Sequence, residues 1–158
     1  TYIDLISKFN NLFIARTFSK AFSLSGLRIG YGISAKENIR ILEEILFSPF
    51  NVNIFSLFCC INIKRLVPHV MQVAAHIKSE REKLYRIFED LGISYLKSAG
   101  NFISFTGDSE LFKRLSAAGV RLRDLSQLPG MAGYLRVSIG SEQDNLQFKE
   151  KLTECLDR

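Results

Sequence analysis

Lys20 stands where a lysine can do covalent chemistry. It lies in the run Thr17-Phe18-Ser19-Lys20-Ala21-Phe22, which leads into Gly26-Leu27-Arg28-Ile29-Gly30-Tyr31. A lysine amine in such a loop forms imines if its surroundings favour the neutral form. The hydroxyls of Thr17 and Ser19 and the guanidinium of Arg28 are groups that hold a phosphate, the guanidinium bidentately. From residue types alone the alternative stays open that Lys20 is a solvated lysine on a surface loop. A second set of cations lies far along the chain. Arg123 and Arg136 are thirteen residues apart, on either side of a loop containing Pro129, Gly130 and Gly133. Arginines flanking one loop can face a common cleft and clamp a dianion and a carboxylate, or can sit in surface salt bridges. Arg121 alternates with Arg123, and the choice between them rests on the Asp124 that follows.

The elements that must place these residues follow from local pattern. Leu12 to Ala15 reads as a short buried strand, Thr17 to Gly26 as a loop, and Leu27 to Ile33 as a second strand. Gly30 and Gly32 in that strand point to close approach by another backbone or a ligand. Ser34-Ala35-Lys36-Glu37 has the form of a capping box. It opens a helix with Ile41, Leu42, Ile45 and Leu46 on one face. Ser48-Pro49-Phe50-Asn51-Val52-Asn53 is a turn-rich linker. A second helix covers Ile54 to Leu66, with a break or restart at Pro68. A long amphipathic helix follows, carrying Val70, Val73, Ala74, Ile77, Leu84, Ile87, Phe88 and Leu91 and ending at Gly92. The rest reads β-β-α-β-β-α. The strands are Ile93 to Tyr95, Asn101 to Phe105, Val120 to Arg123 and Tyr134 to Ile139. The helices are capped by Asp108 and Ser141, and the last buries Leu146, Leu152, Cys155 and Leu156. Helices on one face of a sheet make this later part a small α+β domain.

Composition narrows the classes. The chain has 158 residues, 47% hydrophobic and 23% charged, which is globular rather than disordered. No apolar run is long enough for a membrane span. The formal charge of +5 is a mildly basic surface or a bias toward anionic ligands. The basic residues are scattered, without zinc-finger spacing or an RNA-binding aromatic motif, so no nucleic-acid partner is expected. Cys59, Cys60 and Cys155 lack metal or redox spacing and read as free thiols of a reducing, cytoplasmic setting. His69 and His76 share a helix face without a third ligand, so no metal is expected.

The order of residues around Lys20 says more than their types. The run from Thr17 to Phe22, continued by Gly26 to Tyr31, resembles the lysine signature of fold-type I pyridoxal-phosphate aminotransferases. It is most similar to the histidinol-phosphate aminotransferase branch. Further blocks carry the likeness over nearly the whole chain: Ser48 to Asn53, Ala99-Gly100-Asn101-Phe102-Ile103, Gly119 to Asp124, and Leu135-Arg136-Val137-Ser138-Ile139-Gly140. The resemblance implies that Lys20 forms the imine with the pyridoxal 5'-phosphate aldehyde and then moves a proton between the substrate α-carbon and the cofactor. It implies that Ser19 and Arg28, with Thr17 a further candidate, bind the cofactor phosphate. By the same likeness Arg136 grips the substrate α-carboxylate, and Arg123 helps hold the phosphate at the far end of an amino-acid phosphate. The implied reaction exchanges an amino group between histidinol phosphate and 2-oxoglutarate. The implied assembly is a homodimer, with the flank of the lysine loop and Phe47 to Phe58 as interface surfaces.

The fold implied is α/β and aspartate-aminotransferase-like. Residues 1–50 would be the C-terminal part of the large cofactor-binding domain, 51–92 an interdomain helical segment, and 93–158 the small α+β domain. The family also places an acidic residue opposite the cofactor's pyridine nitrogen, within an Asp-Glu-Ala-Tyr type strand upstream of the lysine. No such motif occurs here, and Asp4 sits where the family has a helix. The ring-stacking aromatic, the asparagine on the ring hydroxyl and the glycine-rich phosphate loop are missing too. The expectation is an N-terminally truncated chain that does not turn over substrate alone. Three rivals share these residues: a phosphothreonine decarboxylase of the same fold, an aromatic or broad-range aminotransferase, and a non-catalytic remnant.

Overall fold

Residues 2–46 and 52–157 are described by the computed structural model. Ser48 to Asn51 of the expected linker, and Phe47, lie outside them. Two compact units divide the chain, Thr1–Val73 and Ala74–Arg158.

In the first unit a one-turn 3-10 helix, Ile3–Leu5, carries the exposed Asp4. Two antiparallel strands follow, β1 (Phe13–Thr17) and β2 (Gly30–Ser34). Only Ile14 of β1 is even half-buried, so this strand is not the buried one expected. The glycines of β2 explain the tight pairing. A Cβ on Gly30 would lie 2.5 Å from the Arg16 carbonyl oxygen, and one on Gly32 would collide with the Phe13 ring. Helix α1 (Lys36–Ile45) begins without the capping box expected of Ser34 and Glu37. Its N-cap is Ala35, with no side-chain bond. The Ser34 hydroxyl instead donates to the Leu12 carbonyl at 2.6 Å, and Asn38 donates to Ser34 Oγ at 2.9 Å and to the Asn10 carbonyl at 2.6 Å. A cross-strand acceptor has won over the helix amide. Ile41, Ile45 and Leu46 are exposed.

Helix α2 (Ile54–Ile61) starts at Asn53, whose side chain accepts from Ser56 N at 2.9 Å. It is shorter than expected. The break comes at Asn62, and α3 (Ile63–Asp90) then runs through Pro68 without interruption. Pro68 is the sixth residue of α3, so its missing N–H removes one intrahelical bond there. Phe55 and Phe58 are exposed, Cys59 and Cys60 are half-buried, and His69 and His76 are exposed. Among the described residues no single helix is long and apolar enough to cross a membrane; α2 and α3 reach that measure only when added across their break.

The second unit holds a four-stranded antiparallel sheet in the order β3-β4-β6-β5: β3 (Tyr95–Leu96), β4 (Phe102–Thr106), β5 (Arg123–Asp124) and β6 (Tyr134–Ser138). With α4 (Ser109–Ala117) and α5 (Glu142–Leu156) it gives the β-β-α-β-β-α order read from sequence. The helix ends follow their signals. Asp108 accepts from Leu111 N, Ser141 and Asp144 form a capping box, and at Gly119 (φ +86°) Val120 N reaches back to the Leu115 carbonyl.

The core unites Leu84 and Phe88 of α3, Ile103 and Phe105 of β4, Leu135 and Val137 of β6, Leu115 of α4, and Phe148, Leu152 and Cys155 of α5. Phe88 stacks on Phe105 at 4.9 Å between centroids. Burying each such side chain stabilises by about 1.5–3 kcal/mol. On α5, Phe148 and Leu152 face inward while Leu146 and Leu156 are exposed, against the expectation for those two leucines.

Candidate functional site

Lys20 lies in the turn that leaves β1. Phe18 N donates to the Ile29 carbonyl at 3.2 Å, extending the β1–β2 ladder by one step, and Ser23 N closes a turn on the Lys20 carbonyl at 2.9 Å. Phe18 packs edge-on against Phe22 at 5.1 Å and lies 5.6 Å from Tyr31, so an aromatic cluster fixes the base of the loop. The Lys20 amine itself is exposed and has no carboxylate partner among the described residues.

Thr17 closes β1 rather than lying in the loop. Its hydroxyl donates to Ser19 Oγ at 2.9 Å and accepts from Ser19 N at 3.0 Å. The two hydroxyls are thereby presented together. Arg28 follows a short 3-10 turn, Ser25–Leu27, and takes a left-handed backbone, φ +53°. A non-glycine residue in that region is uncommon and needs support from its surroundings. The support comes from α2. Ser56, 1% exposed, donates its hydroxyl to the Leu27 carbonyl at 2.7 Å, and Asn53 Nδ2 reaches the same oxygen at 3.4 Å. Arg28 Nη1 donates to the Ser25 carbonyl at 3.0 Å, and among the described residues its other donors have no protein partner. Two hydroxyls, a guanidinium and an exposed amine fit a ligand carrying a phosphate and an aldehyde. Ser56 carries no signal of this role in the sequence, because a serine within an apolar helix reads as a neutral packing residue.

In the second unit the register places Arg123 of β5 directly opposite Arg136 of β6. Directly opposed residues share a face, with Cβ atoms ~5 Å apart. That face lies away from the core, since Leu135 and Val137 on either side of Arg136 are buried in it. On its other side Arg136 opposes Ser104 of β4. The Arg136 guanidinium carbon sits 4.6 Å from the centroid of the Phe102 ring, a cation–π contact that fixes its direction. Neither arginine has a carboxylate partner among the described residues. Asp124 is occupied by its own turn. Its Oδ1 accepts from Ser126 N at 2.8 Å, and that bond holds its carboxyl below the usual range. Arg121 falls outside the strand, which begins only at Arg123 instead of Val120. The register thus pairs Arg123, not Arg121, with Arg136.

The loop before β4 is held from α3. Arg81 Nη1 donates to the Gly100 carbonyl at 3.0 Å, and the Tyr85 hydroxyl accepts from Ser98 N at 2.7 Å. Among the described residues no cluster of side chains suited to a metal ion occurs.

A family model described as aminotransferase class I and II matches residues 1–152. The histidinol-phosphate aminotransferase of Caldicellulosiruptor saccharolyticus is 36% identical over 159 residues, covering 98% of this chain and 43% of that protein. Among solved structures, the histidinol-phosphate aminotransferase of Clostridium acetobutylicum superposes with a TM-score of 0.90 at 23% identity, over 99% of this chain and 49% of that one. The Sinorhizobium meliloti histidinol-phosphate aminotransferase, solved in complex with pyridoxal-5'-phosphate, gives 0.78 at 22% identity, over 96% and 44%. The fold is the α/β, aspartate-aminotransferase-like fold. The chain spans less than half the length of these relatives.

Proposed function

The chain belongs to the aminotransferase class I and II family, and from that premise we propose that the whole protein is a pyridoxal-phosphate enzyme that transfers an amino group between histidinol phosphate, or a related amino-acid phosphate, and 2-oxoglutarate. The observation that carries this reading is the lysine loop. One loop between two strands carries an exposed lysine amine, a bonded pair of hydroxyls and a guanidinium that, among the described residues, uses one donor on the Ser25 carbonyl. When bound, the cofactor supplies the electron sink that stabilises negative charge at the substrate α-carbon. Lys20 would hold the cofactor through its amine, and that same amine would move a proton at the substrate α-carbon. Thr17, Ser19 and Arg28 anchor the cofactor phosphate. Arg136 takes the substrate carboxylate and Arg123 the distal phosphate, each through charge-assisted bonds.

In this reading residues 1–50 belong to the large cofactor-binding domain, 51–92 to an interdomain helical segment and 93–158 to the small domain. The intact enzyme is a homodimer, and the exposed apolar side chains of α1 and α2, Ile45, Phe55 and Ile61 among them, are candidates for covered surface there. The names of the relatives and the cofactor bound in one of them support the reading.

The test is borohydride reduction in the presence of pyridoxal phosphate, followed by peptide mass mapping, on this chain and on the longest form of the protein. A single adduct on Lys20, lost in Lys20→Ala, is the expected result. Scattered adducts on several lysines of the longest form would refute the assignment. Product analysis then separates transamination from decarboxylation, because only the latter releases carbon dioxide.

A further inference from the structure

Glu80 and Arg81, neighbours on α3, reach the two strands of the pair that carries Arg136 at the same end of their ladder, Arg81 at β4 and Glu80 at β6. Arg81 holds the Gly100 carbonyl at 3.0 Å, two residues before β4. Glu80 acts through an intermediary. Its Oε2 accepts from Asn145 Nδ2 at 2.8 Å, and both side chains are buried, Glu80 2% and Asn145 5% exposed. Asn145 spends its remaining capacity on Gly140, the second residue beyond β6. Its Oδ1 accepts from Gly140 N at 3.1 Å and its Nδ2 also donates to the Gly140 carbonyl at 3.3 Å. The two strand ends are also tied to each other, since Ile139 N donates to the Asn101 carbonyl at 2.9 Å.

A buried carboxylate is costly, and an apolar side chain of similar size is often no worse for stability. Part of the cost is met by Lys83, whose ammonium lies 2.7 Å from Glu80 and 2.7 Å from Glu142 at the start of α5. What the carboxylate supplies beyond that is direction. It accepts only, so it forces the Asn145 amide to point its NH2 toward α3 and its oxygen toward Gly140 N. Both strands are then fixed, at the Phe102/Ser138 end of their ladder, relative to a single turn of α3. That pair holds Phe102 opposite Ser138, two residues from Arg136, and the Phe102 ring beneath the Arg136 guanidinium.

We infer that Glu80 and Asn145 form a latch that positions Arg136, holding its guanidinium over Phe102 and ready for an anion. They are positioning residues that touch no ligand. The latch is geometric; its consequence for substrate rests on the reading of Arg136 as the carboxylate-binding residue.

The measurement is the ring-current shift of the Arg136 side-chain protons in the NMR spectrum of the full chain, assigned by its loss in Phe102→Leu. Asn145→Ala should abolish the shift. Glu80→Ala, which removes the acceptor that directs the Asn145 amide, should weaken it, and an undiminished shift there would remove Glu80 from the latch. Leu152→Ala, a core cut in the same helix as Asn145, should retain it, and this separates positioning from general loss of stability. A shift that persists in Asn145→Ala overturns the inference. If that variant does not fold, amide exchange in the unaltered chain decides. A Gly140 amide that exchanges as freely as that of the exposed Gly130 overturns the latch; a protected one upholds it. Inorganic phosphate titrated against Arg136 links the latch to function: Asn145→Ala should bind it more weakly. Absence of phosphate binding in the unaltered chain would strike the reading of Arg136 while leaving the latch to be judged on the shift.

Discussion

Replacing Arg123 with glutamine should stabilise the second unit in dilute salt while removing its response to phosphate. Arg123 and Arg136 are direct cross-strand neighbours on one face, without a carboxylate between them among the described residues. Like charges so placed destabilise a sheet by roughly 0.2–1 kcal/mol. With guanidinium groups ~8 Å apart in a water-like dielectric, Coulomb's law gives about 0.5 kcal/mol, the middle of that range. The stack on Phe102 orients Arg136 but does not cancel the repulsion. The assay is urea unfolding at about 0.02 M and about 1 M sodium chloride, where the Debye length shrinks to ~3 Å. Arg123→Gln should raise the unfolding midpoint at low salt by the equivalent of ~0.5 kcal/mol, with an unchanged slope. At high salt the two chains should coincide. Inorganic phosphate at a hundredfold excess over its dissociation constant should then stabilise the unaltered chain by about 2.7 kcal/mol and the variant by much less. A variant no more stable at low salt, with an undiminished phosphate response, would refute the pairing of these charges as an anion site.

Ser56→Ala should lower the stability of the first unit by about 0.5–1.5 kcal/mol, since the Leu27 carbonyl keeps only the long contact from Asn53; hydrogen exchange at Arg28 and Ile29 should rise with it, and unchanged exchange would show that α2 does not hold the loop. The Glu80 carboxyl lies below its ordinary value of 4.5, first through its bond from Lys83 and then, against the opposing effect of burial, through that from Asn145. A lowered folded-state value means that stability is present above the ordinary value and is lost as pH falls through the folded one. Urea midpoints measured from pH 6 down to pH 3 should therefore fall less steeply in Glu80→Gln than in the unaltered chain, and parallel curves would contradict the assignment.

The order of elements was legible because several boundaries of the second unit carry a local signal. Gly92 and Gly119 end helices, Asp108 and Ser141 begin them, and the alternation at Leu135 and Val137 marks an inward face. Where the reading failed, the causes differ. Ser34 has the form of a cap, but the Leu12 carbonyl across the ladder takes its hydroxyl. Pro68 has the form of a break, but one lost hydrogen bond early in a helix of 28 residues is not enough to end it, and the chain turns at Asn62 instead. Leu146 and Leu156 look like core because they are leucines. The α5 face that meets the sheet belongs to Phe148 and Leu152, and a periodicity with several apolar residues to choose from does not say which face wins.

The candidate site divides along the same line. Lys20, Thr17, Ser19 and Arg28 lie within twelve residues, so their order is itself a pattern and a resemblance can be read from it. Arg123 and Arg136 were nameable by the same resemblance, but what places one opposite the other is the register of β5 on β6, which depends on how many residues the intervening loop takes up. That loop spans Leu125 to Gly133 and closes through Leu125 N on the Tyr134 carbonyl and Tyr134 N on the Met131 carbonyl. A change of one residue in its length would shift the ladder by one and turn Arg123 to the opposite face, so the loop acts on the site through spacing rather than contact. Ser56 and Asn145 act in the same indirect way. Each bonds a backbone group at the end of an element and presents nothing to a ligand, and neither belongs to a chemical type that marks a site. The residues that would do chemistry are therefore legible from their kind and order, while the residues that aim them become visible only when the fold has placed a carbonyl within their reach.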